Sequence, residues 1–280
     1  MSIVFRGLFL LVTVAWLVRS PIVLADDPDK PSAERQMILK EMRAAVAAIK
    51  VQKKSATESL AGELVTEPVF RYSDEQRQIR DATIWVWTVH GRPVSLMKVE
   101  RYGFADPQRH WLLNVTSTTS DPINVKWPFG REFTSKKPGM TFRPVTNAME
   151  AVETKAGRLI QLKNLARRFS ATMTDGLAQN IKTEMRLLAT PLYRYASESE
   201  AVVDGAFFGF SATGTNPDAI LAIQWRGGSQ GDKCEFAVTG TTTAGLHVRL
   251  DNTEVWSQPY LIGQGQVFDT WTWFFSDRIE

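Results

Sequence analysis

The sequence has too few cysteines for a disulfide-stabilised fold, because Cys234 is the only one among its 280 residues. Its 18 glycines and 13 prolines are ordinary proportions, which excludes a collagen-like chain. A hydrophobic fraction of 44% predicts instead a globular protein that is stabilised by a buried core. Cys234 lies in an alternating stretch, so we expect it to be a small apolar residue within a strand.

An excess of charge of one sign is also lacking. Lys and Arg together number 33 against 30 Asp and Glu, and two of these cations, Arg6 and Arg19, lie in a segment that we expect to be removed. The mature chain then carries 31 basic and 30 acidic side chains. This balance gives no electrostatic reason to expect a nucleic acid or an anionic membrane as a partner.

No catalytic or metal-binding motif occurs in the sequence. The spacing of the three histidines, His90, His110 and His247, matches no zinc pattern. There is no phosphate loop, no dinucleotide-binding fingerprint and no nucleophile elbow, since Gly209 to Thr213 lacks the second glycine of that elbow. We therefore assign no catalytic residue, no metal ligand and no cofactor, although a site built from dispersed residues is compatible with this pattern.

The first 25 residues have the pattern of a secretory signal peptide. Arg6 supplies the positive charge, residues 7–18 form an apolar core, and Val23-Leu24-Ala25 fits the small-residue cleavage rule. We predict cleavage between Ala25 and Asp26, followed by export to the periplasm or the extracellular space.

An uncleaved membrane anchor is the alternative for this segment. A membrane span needs about 20 apolar residues, and Arg19 interrupts the run too early. We therefore predict a mature chain without a transmembrane anchor, which begins with a short linker at residues 26–31.

Two stretches of the sequence resemble each other at an offset of 123 residues. Residues 68–75 (PVFRYSDE) match 191–198 (PLYRYASE), and 81–88 (DATIWVWT) match 204–211 (DGAFFGFS). The register then slips by one inserted residue, Asn216, before it returns. Such self-similarity predicts that one structural unit occurs twice.

The repeat and the hydrophobic periodicity together predict an α+β fold with internal duplication. Residues 32–145 and 147–280 are the two expected copies, each a helix followed by an antiparallel meander of about five to six strands. Residues 141–145 and 266–275 are the expected late strands of the first and second copy. This order resembles cystatin-like and NTF2-like units by an analogy of architecture only. The alternative is that the two sheets merge into one open barrel or continuous sheet.

Tryptophans at alternate positions indicate a buried strand. Trp85 and Trp87 correspond to phenylalanines in the other copy, and their neighbours are apolar, which predicts a central strand covered on both faces. A turn at Gly91 predicts that this strand begins a hairpin. Trp271 and Trp273 have no counterpart; we expect them to pack in a strand, with the mouth of a pocket as the alternative.

Charged residues that recur at matching positions are the other candidates for a binding site. They are Arg71, Glu75 and Asp81 in the first copy and Arg194, Glu198 and Asp204 in the second. One interpretation is a duplicated binding or acid–base pair. The other is a structural contact, in which each arginine bridges a carboxylate of its own copy and a backbone carbonyl.

Several blocks of sequence resemble a family of uncharacterised secreted bacterial proteins. They are residues 67–72 (EPVFRY), 81–87 (DATIWVW) with 91–93 (GRP), and 186–195 (RLLATPLYRY). The resemblance covers nearly all of the mature chain and supports export. It implies no activity, cofactor or catalytic residue.

Two functions of different class follow as hypotheses. The first is a non-catalytic binding or assembly module in the periplasm or outside the cell, which is favoured by the balanced charge and the missing motifs. The alternative is a hydrolase or other enzyme with a site in the cleft between the two repeats. A shallow groove lined by aromatic residues, or an exposed sheet edge, favours binding, whereas a deep cleft with two or more carboxylates or a histidine within hydrogen-bond reach favours an enzyme.

Overall fold

The computed structural model describes residues 33–55, 57–174, 181–229, 231–261 and 267–279. Of these residues, 49% are in strands and 14% in helices. The predicted signal peptide and linker lie outside the described residues.

In the first half (residues 33–145), helix α1 spans Ala33–Ala47, and two 3-10 helices span Glu75–Arg77 and Pro107–Arg109. The described strands of this half are β1 Lys50–Lys54, β2 Ser59–Ala61, β3 Glu63–Leu64, β4 Phe70–Asp74, β5 Ile79–Val89, β6 Arg92–Tyr102, β7 Trp111–Ser117, β8 Ile123–Lys126, β9 Glu132–Thr134 and β10 Arg143–Pro144.

In the second half (residues 147–279), helix α2 spans Lys155–Ala166, and Thr154 caps it by accepting a hydrogen bond from the Gly157 backbone N–H at 3.1 Å. The described strands of this half are β11 Phe169–Thr174, β12 Lys182–Leu187, β13 Tyr193–Ser197, β14 Val202–Ser211, β15 Ala219–Arg226, β16 Lys233–Gly240, β17 Gly245–Leu250, β18 Thr253–Gln258 and β19 Trp271–Ser276.

The described strands form three sheets. A four-stranded sheet has the order β2-β1-β8-β9, and a six-stranded sheet has the order β19-β7-β6-β5-β3 with β4 also paired to β5. The nine-stranded sheet follows the order β10-β16-β15-β14-β12-β11-β17-β18, with β13 also paired to β14. This eight-strand path curls into a half-barrel.

The two larger sheets pack face to face, and each helix covers the outer face of one of them. Ile84 of β5 and Phe207 of β14 belong to the core between the sheets. Their neighbours Trp85 and Phe208 point to the opposite faces, where they pack in the cores that contain α1 and α2 respectively. The predicted burial of Trp85 and its strand on both faces is therefore confirmed.

The predicted hairpin is formed by β5 and β6. Its turn consists of His90 and Gly91, which have φ angles of 50° and 78°. Positive φ at both central residues defines the type I′ turn, whose twist matches that of the paired strands. The hairpin places the second strand, β6, next to β7 in the middle of the six-stranded sheet.

The predicted fold class, an α+β duplication of helix and meander, is wrong. The described residues form a predominantly β structure with two α-helices and a curled half-barrel sheet. The non-sequential strand order also departs from the meander that the cystatin-like and NTF2-like analogy implies, and three separate sheets replace the single merged sheet of the alternative. Polar strands such as β1 (KVQKK) and β12 (KTEMRL) add to these sheets, and their composition conceals their extended structure in the sequence.

The two late strands also pair differently from our prediction. Residues 143–144 (β10), expected to complete the first half, pair with β16 of the second half. Strand β19, expected to complete the second half, pairs with β7 of the first half over six residues, from Trp271 opposite Thr116 to Ser276 opposite Trp111. Each half thus contributes a strand to the sheet of the other.

Candidate functional site

The recurring charged residues of the first half form a clamp between a strand and helix α1. Arg71 donates its Nε–H to Asp81 Oδ1 at 2.8 Å and an Nη2–H to Asp81 Oδ2. The same Nη2 donates to the Arg35 backbone carbonyl in the first turn of α1 at 2.6 Å. Asp81 is 1% exposed, and its hydrogen bonds raise the pKa of Arg71.

An equivalent clamp holds helix α2 in the second half. Arg194 donates to the two carboxylate oxygens of Asp204 at 3.0 and 2.5 Å and to the Lys155 backbone carbonyl at 2.5 Å. Arg158 of α2 adds a further bond to Asp204 at 2.9 Å. Both arginines join a carboxylate to a helix carbonyl. These contacts therefore agree with the structural interpretation of the recurring charged residues.

Glu75 and Glu198 are placed apart from these clamps. Glu75 lies in the first 3-10 helix and Glu198 in the turn after β13, and both are exposed. Neither residue lines the cleft between the two halves of the chain. The six recurring charged residues therefore do not form a common site.

A cleft of about 490 Å³ lies between the two halves. Its floor is the face of β6, β7 and β19 that points towards the second half, and its opposite wall consists of the loops at 212–218 and 241–244. The crossing strand β19 is thus part of the cleft floor. Both halves are needed to form the cleft.

Aromatic side chains of β19 cover one side of the floor. Trp271, Trp273 and Phe275 occupy alternate positions and share the cleft face. Trp271 is buried against Phe268 with ring centroids 4.4 Å apart, whereas Trp273 and Phe275 are half-buried and meet edge to face at 5.7 Å. Of the two predicted tryptophan candidates, Trp273 is therefore the more open to the cleft.

Two carboxylates line the cleft, and the first of them, Asp218, is fully buried. Arg77 donates to its two oxygens at 2.6 and 3.1 Å, and the Ala212 backbone N–H donates to it at 3.1 Å. Burial by itself lowers the pKa of Arg77, but the hydrogen bonds and charge of Asp218 outweigh this effect and leave the pKa raised. This ion pair joins the first half to the second.

Glu100, the second carboxylate, is held by two tyrosines and a lysine. Tyr72 and Tyr102 donate their hydroxyls to its Oε1 and Oε2 at 2.5 and 2.9 Å, and Lys98 Nζ lies 3.4 Å from Oε1. Burial, and then the charge of Glu100, raises the pKa of both tyrosines, so their hydroxyls remain protonated donors. Every oxygen of Glu100 thus has a partner within the protein.

The loop at 212–218 is fixed to the first half at several points. Thr213 donates its hydroxyl to Asp74 at 2.8 Å, and the Pro217 carbonyl accepts from Lys98 Nζ at 3.2 Å and from the Thr241 hydroxyl at 2.6 Å. These bonds, together with the ion pair of Asp218, hold the cleft wall in one position. The cleft is therefore preformed.

Two polar atoms of residues that line the cleft have no hydrogen-bond partner within the described residues. They are Asn216 Oδ1 and Trp273 Nε1, and both atoms are buried. Asn216 is 3% exposed, so its amide is not simply solvated at the surface. Unpartnered buried groups of this kind are uncommon in proteins, which makes the pair notable at this position.

Arg77, Lys98, Glu100 and Asp218 are cleft residues that the analysis of the sequence missed. One signal was available, because the positions that correspond to Lys98 and Glu100 at an offset of 124 are an alanine and a glutamine. The charges on the cleft face are therefore peculiar to the first half, although the surrounding strand residues match.

Neither metal ligation nor thiol chemistry is favoured by the described part of the chain. It contains no group of three or more His, Cys, Asp or Glu side chains that could hold a metal ion. Cys234 is buried in β16, and burial raises the pKa of its thiol to about 12. Within the same residues, no helix is long and apolar enough to cross a membrane.

Comparisons with known proteins yield no relative for this chain. A scan against models of protein families finds no match, and neither a search of curated proteins nor a search of solved structures finds one.

Proposed function

We propose that this chain is an exported, non-catalytic binding or assembly module, located in the periplasm or outside the cell, whose ligand lies in the cleft between the two halves. One observation carries the proposal. The cleft presents half-buried aromatic rings, whereas its four charged side chains, Arg77, Lys98, Glu100 and Asp218, are paired with one another. A concave surface lined by aromatic side chains is typical of ligand sites.

A preformed cleft suits binding because little conformational entropy is lost when a ligand enters. The loop at 212–218 is already held by hydrogen bonds to Asp74 and Lys98 of the first half. The side chains that it carries are therefore positioned before binding, which lowers the ordering cost of association.

The alternative, a hydrolase, has one observation in its favour, namely that two carboxylates line the cleft. A general acid or base must lie within hydrogen-bond reach of a substrate proton. The oxygens of Asp218 accept from Arg77 and Ala212, and those of Glu100 accept from Tyr72 and Tyr102. Both carboxylates are also almost completely buried, so a substrate proton has little access to them, which favours binding over hydrolysis.

A thermal-shift screen of the purified protein against oligosaccharides, short peptides and cell-wall fragments tests the proposal. A ligand at 100 times its dissociation constant stabilises the folded state by about 2.7 kcal/mol, which corresponds to roughly 5–10 °C for a chain of this size. Thr242→Trp fills the cleft, so we expect it to abolish the shift. Thr253→Trp is the matched control, because Thr253 is exposed on β18 outside the cleft.

Three results contradict the proposal. A shift that persists in Thr242→Trp places the ligand elsewhere. Conversion of a probe to products, lost in Glu100→Gln or Asp218→Asn, supports the hydrolase instead. The absence of a shift with every probe argues against a ligand in the cleft.

A further inference from the structure

The surface that the cleft offers to a ligand is largely uncharged, and this step rests on the proposed function. Lys98, Glu100 and Asp218 line the cleft but are at most 3% exposed. Arg77 is partly exposed, and its charge is compensated by the carboxylates of Asp74 and Asp218. A ligand therefore contacts mainly neutral side chains. The half-buried neutral residues of the cleft include Tyr102, Leu112, Met173, Thr242, Tyr260 and Phe275.

These neutral side chains favour an apolar body on the ligand. Leu112 and Phe275 are opposite each other on two neighbouring strands of the floor, and Met173 contributes to the cleft from the second half. Apolar surface that such side chains enclose is removed from water, which stabilises the complex. The floor extends along β19 from Trp271 to Phe275, about 13 Å at the usual rise of a strand. A small molecule with an elongated or flat apolar body fits these dimensions.

An exposed arginine, Arg109, lies at one end of the cleft floor. Its guanidinium carbon is 4.8 Å from the centroid of the Phe275 ring and 4.6 Å from that of the Phe104 ring. Phe104 in turn stacks on Tyr102 with ring centroids 4.8 Å apart. Because Phe275 and Tyr102 both line the cleft, the guanidinium lies on the cleft face of the sheet, at the rim.

The Arg109 guanidinium is held in place without being neutralised. Within the described part of the chain it forms no ion pair and no side-chain hydrogen bond. Stacking occupies the faces of this planar group and leaves the N–H donors along its edge, which match the two oxygens of a carboxylate. Arg77, by contrast, already donates to both oxygens of Asp218. An anionic group is therefore accommodated at the rim and not in the interior of the cleft.

We propose that the cleft binds an amphiphilic organic carboxylate, whose apolar body lies between the two halves and whose carboxylate is bonded by Arg109 at the rim. The experiment titrates the purified protein with decanoate and 2-naphthoate, which carry a chain and a ring as the apolar body. 1-Decanol and 2-naphthol are the matched neutral probes, decylammonium is the matched cation, and butyrate has the same head group on a short body. Calorimetry reports the association constant, and tryptophan fluorescence gives a second measure for the decyl probes.

We expect each carboxylate to bind about three- to tenfold more tightly than its alcohol, the effect of one charge-assisted hydrogen bond at an exposed site. Arg109→Gln removes this difference, because it weakens binding of the carboxylates and leaves that of the alcohols unchanged. Leu112→Ala weakens both by a similar factor, since it removes contact with the apolar body. Butyrate and decylammonium bind at least about tenfold more weakly than decanoate. Arg143→Gln is the matched control, because Arg143 is likewise exposed and lies over a ring, that of Phe236, outside the cleft.

The outcomes separate this inference from the function on which it rests. Alcohols that bind as tightly as the carboxylates, or carboxylate binding that Arg109→Gln does not weaken, overturn the role of Arg109 and leave the cleft as a binding site if Thr242→Trp abolishes binding. Tighter binding of decylammonium than of decanoate overturns the anion. If no amphiphile binds, but an oligosaccharide or peptide gives a shift that Thr242→Trp abolishes, this inference alone fails. If no probe of either set binds in a manner sensitive to Thr242→Trp, both the inference and the proposed function fail.

Discussion

Removal of Arg71 is expected to destabilise the fold more than removal of its equivalent, Arg194. Arg71→Ala leaves Asp81, 1% exposed, with Arg35 Nη2 at 3.5 Å as its remaining cation among the described residues. Loss of one partner of a buried ion pair costs about 3–5 kcal/mol, and the 21% exposure of the Arg71 side chain places the expected loss near the lower value, about 3 kcal/mol.

Arg194→Ala leaves a better-compensated carboxylate. Arg158 Nε remains 2.9 Å from Asp204, so the buried charge keeps a close partner and the expected loss is about 2 kcal/mol. Both variants also lose the bond to a helix carbonyl, which contributes equally to the two values. The structure therefore predicts a difference of about 1 kcal/mol between variants that the sequence alone treats as equivalent.

Urea denaturation, followed by circular dichroism and tryptophan fluorescence, measures these losses. Arg43→Ala is the control, because its ion pair with Glu67 is exposed and is worth about 0–1 kcal/mol. Asp81→Asn combined with Arg71→Ala removes the uncompensated charge and should recover part of the lost stability. A loss below about 1 kcal/mol for Arg71→Ala, or a larger loss for Arg194→Ala, would falsify this reasoning.

Two further predictions concern pH. Burial raises the pKa of the Cys234 thiol to about 12, so a thiol reagent at pH 8 should label the protein only after addition of urea; rapid labelling of the folded protein would contradict the burial. Burial also raises the pKa of the Tyr72 and Tyr195 hydroxyls above that of an unfolded tyrosine. The free energy of unfolding that this difference contributes is therefore fully present below about pH 10 and is lost as the pH rises further. Their phenolate absorbance at 295 nm should appear together with unfolding, and its appearance in a folded chain would argue against this assignment.

The strands that were predicted correctly have strong local signals. Trp85 and its apolar neighbours alternate over a long run, and the residues that form the turn, His90 and Gly91, follow directly. Hydrophobic burial on both faces leaves few alternatives for such a segment. Local pattern was therefore sufficient for the central hairpin.

The fold class failed because it depends on pairing between distant segments. Polar strands such as β1 and β12 are extended only because neighbouring strands satisfy their backbone hydrogen bonds. The destination of β19 depends likewise on the open edge of β7, about 150 residues earlier, rather than on its own residues. Propensity within a short window contains no information about such partners.

The same limit applies to the cleft. Lys98 and Glu100 lie on a strand face, where charged residues normally indicate exposure to solvent, yet both are 3% exposed. Lys98 is held by the Pro217 carbonyl of the other half, and Glu100 by the hydroxyls of Tyr72 and Tyr102, and none of these contacts can be read from the strand's own sequence. The sequence predicts strand packing for Trp273, and the mouth of a pocket is only the alternative there.

The pairing of β19 with β7 also affects the order of events during biosynthesis. Trp271 is opposite Thr116, so the edge of β7 stays open until about 150 further residues have been made. At about 5–20 residues per second, this interval lasts roughly 8–30 s, during which an unpaired edge can associate with other chains. The export proposed above would remove the interval if it follows completed synthesis, because both strands would then reach the folding compartment together. The crossed strands would thus suit a protein that begins to fold only once its whole chain is present.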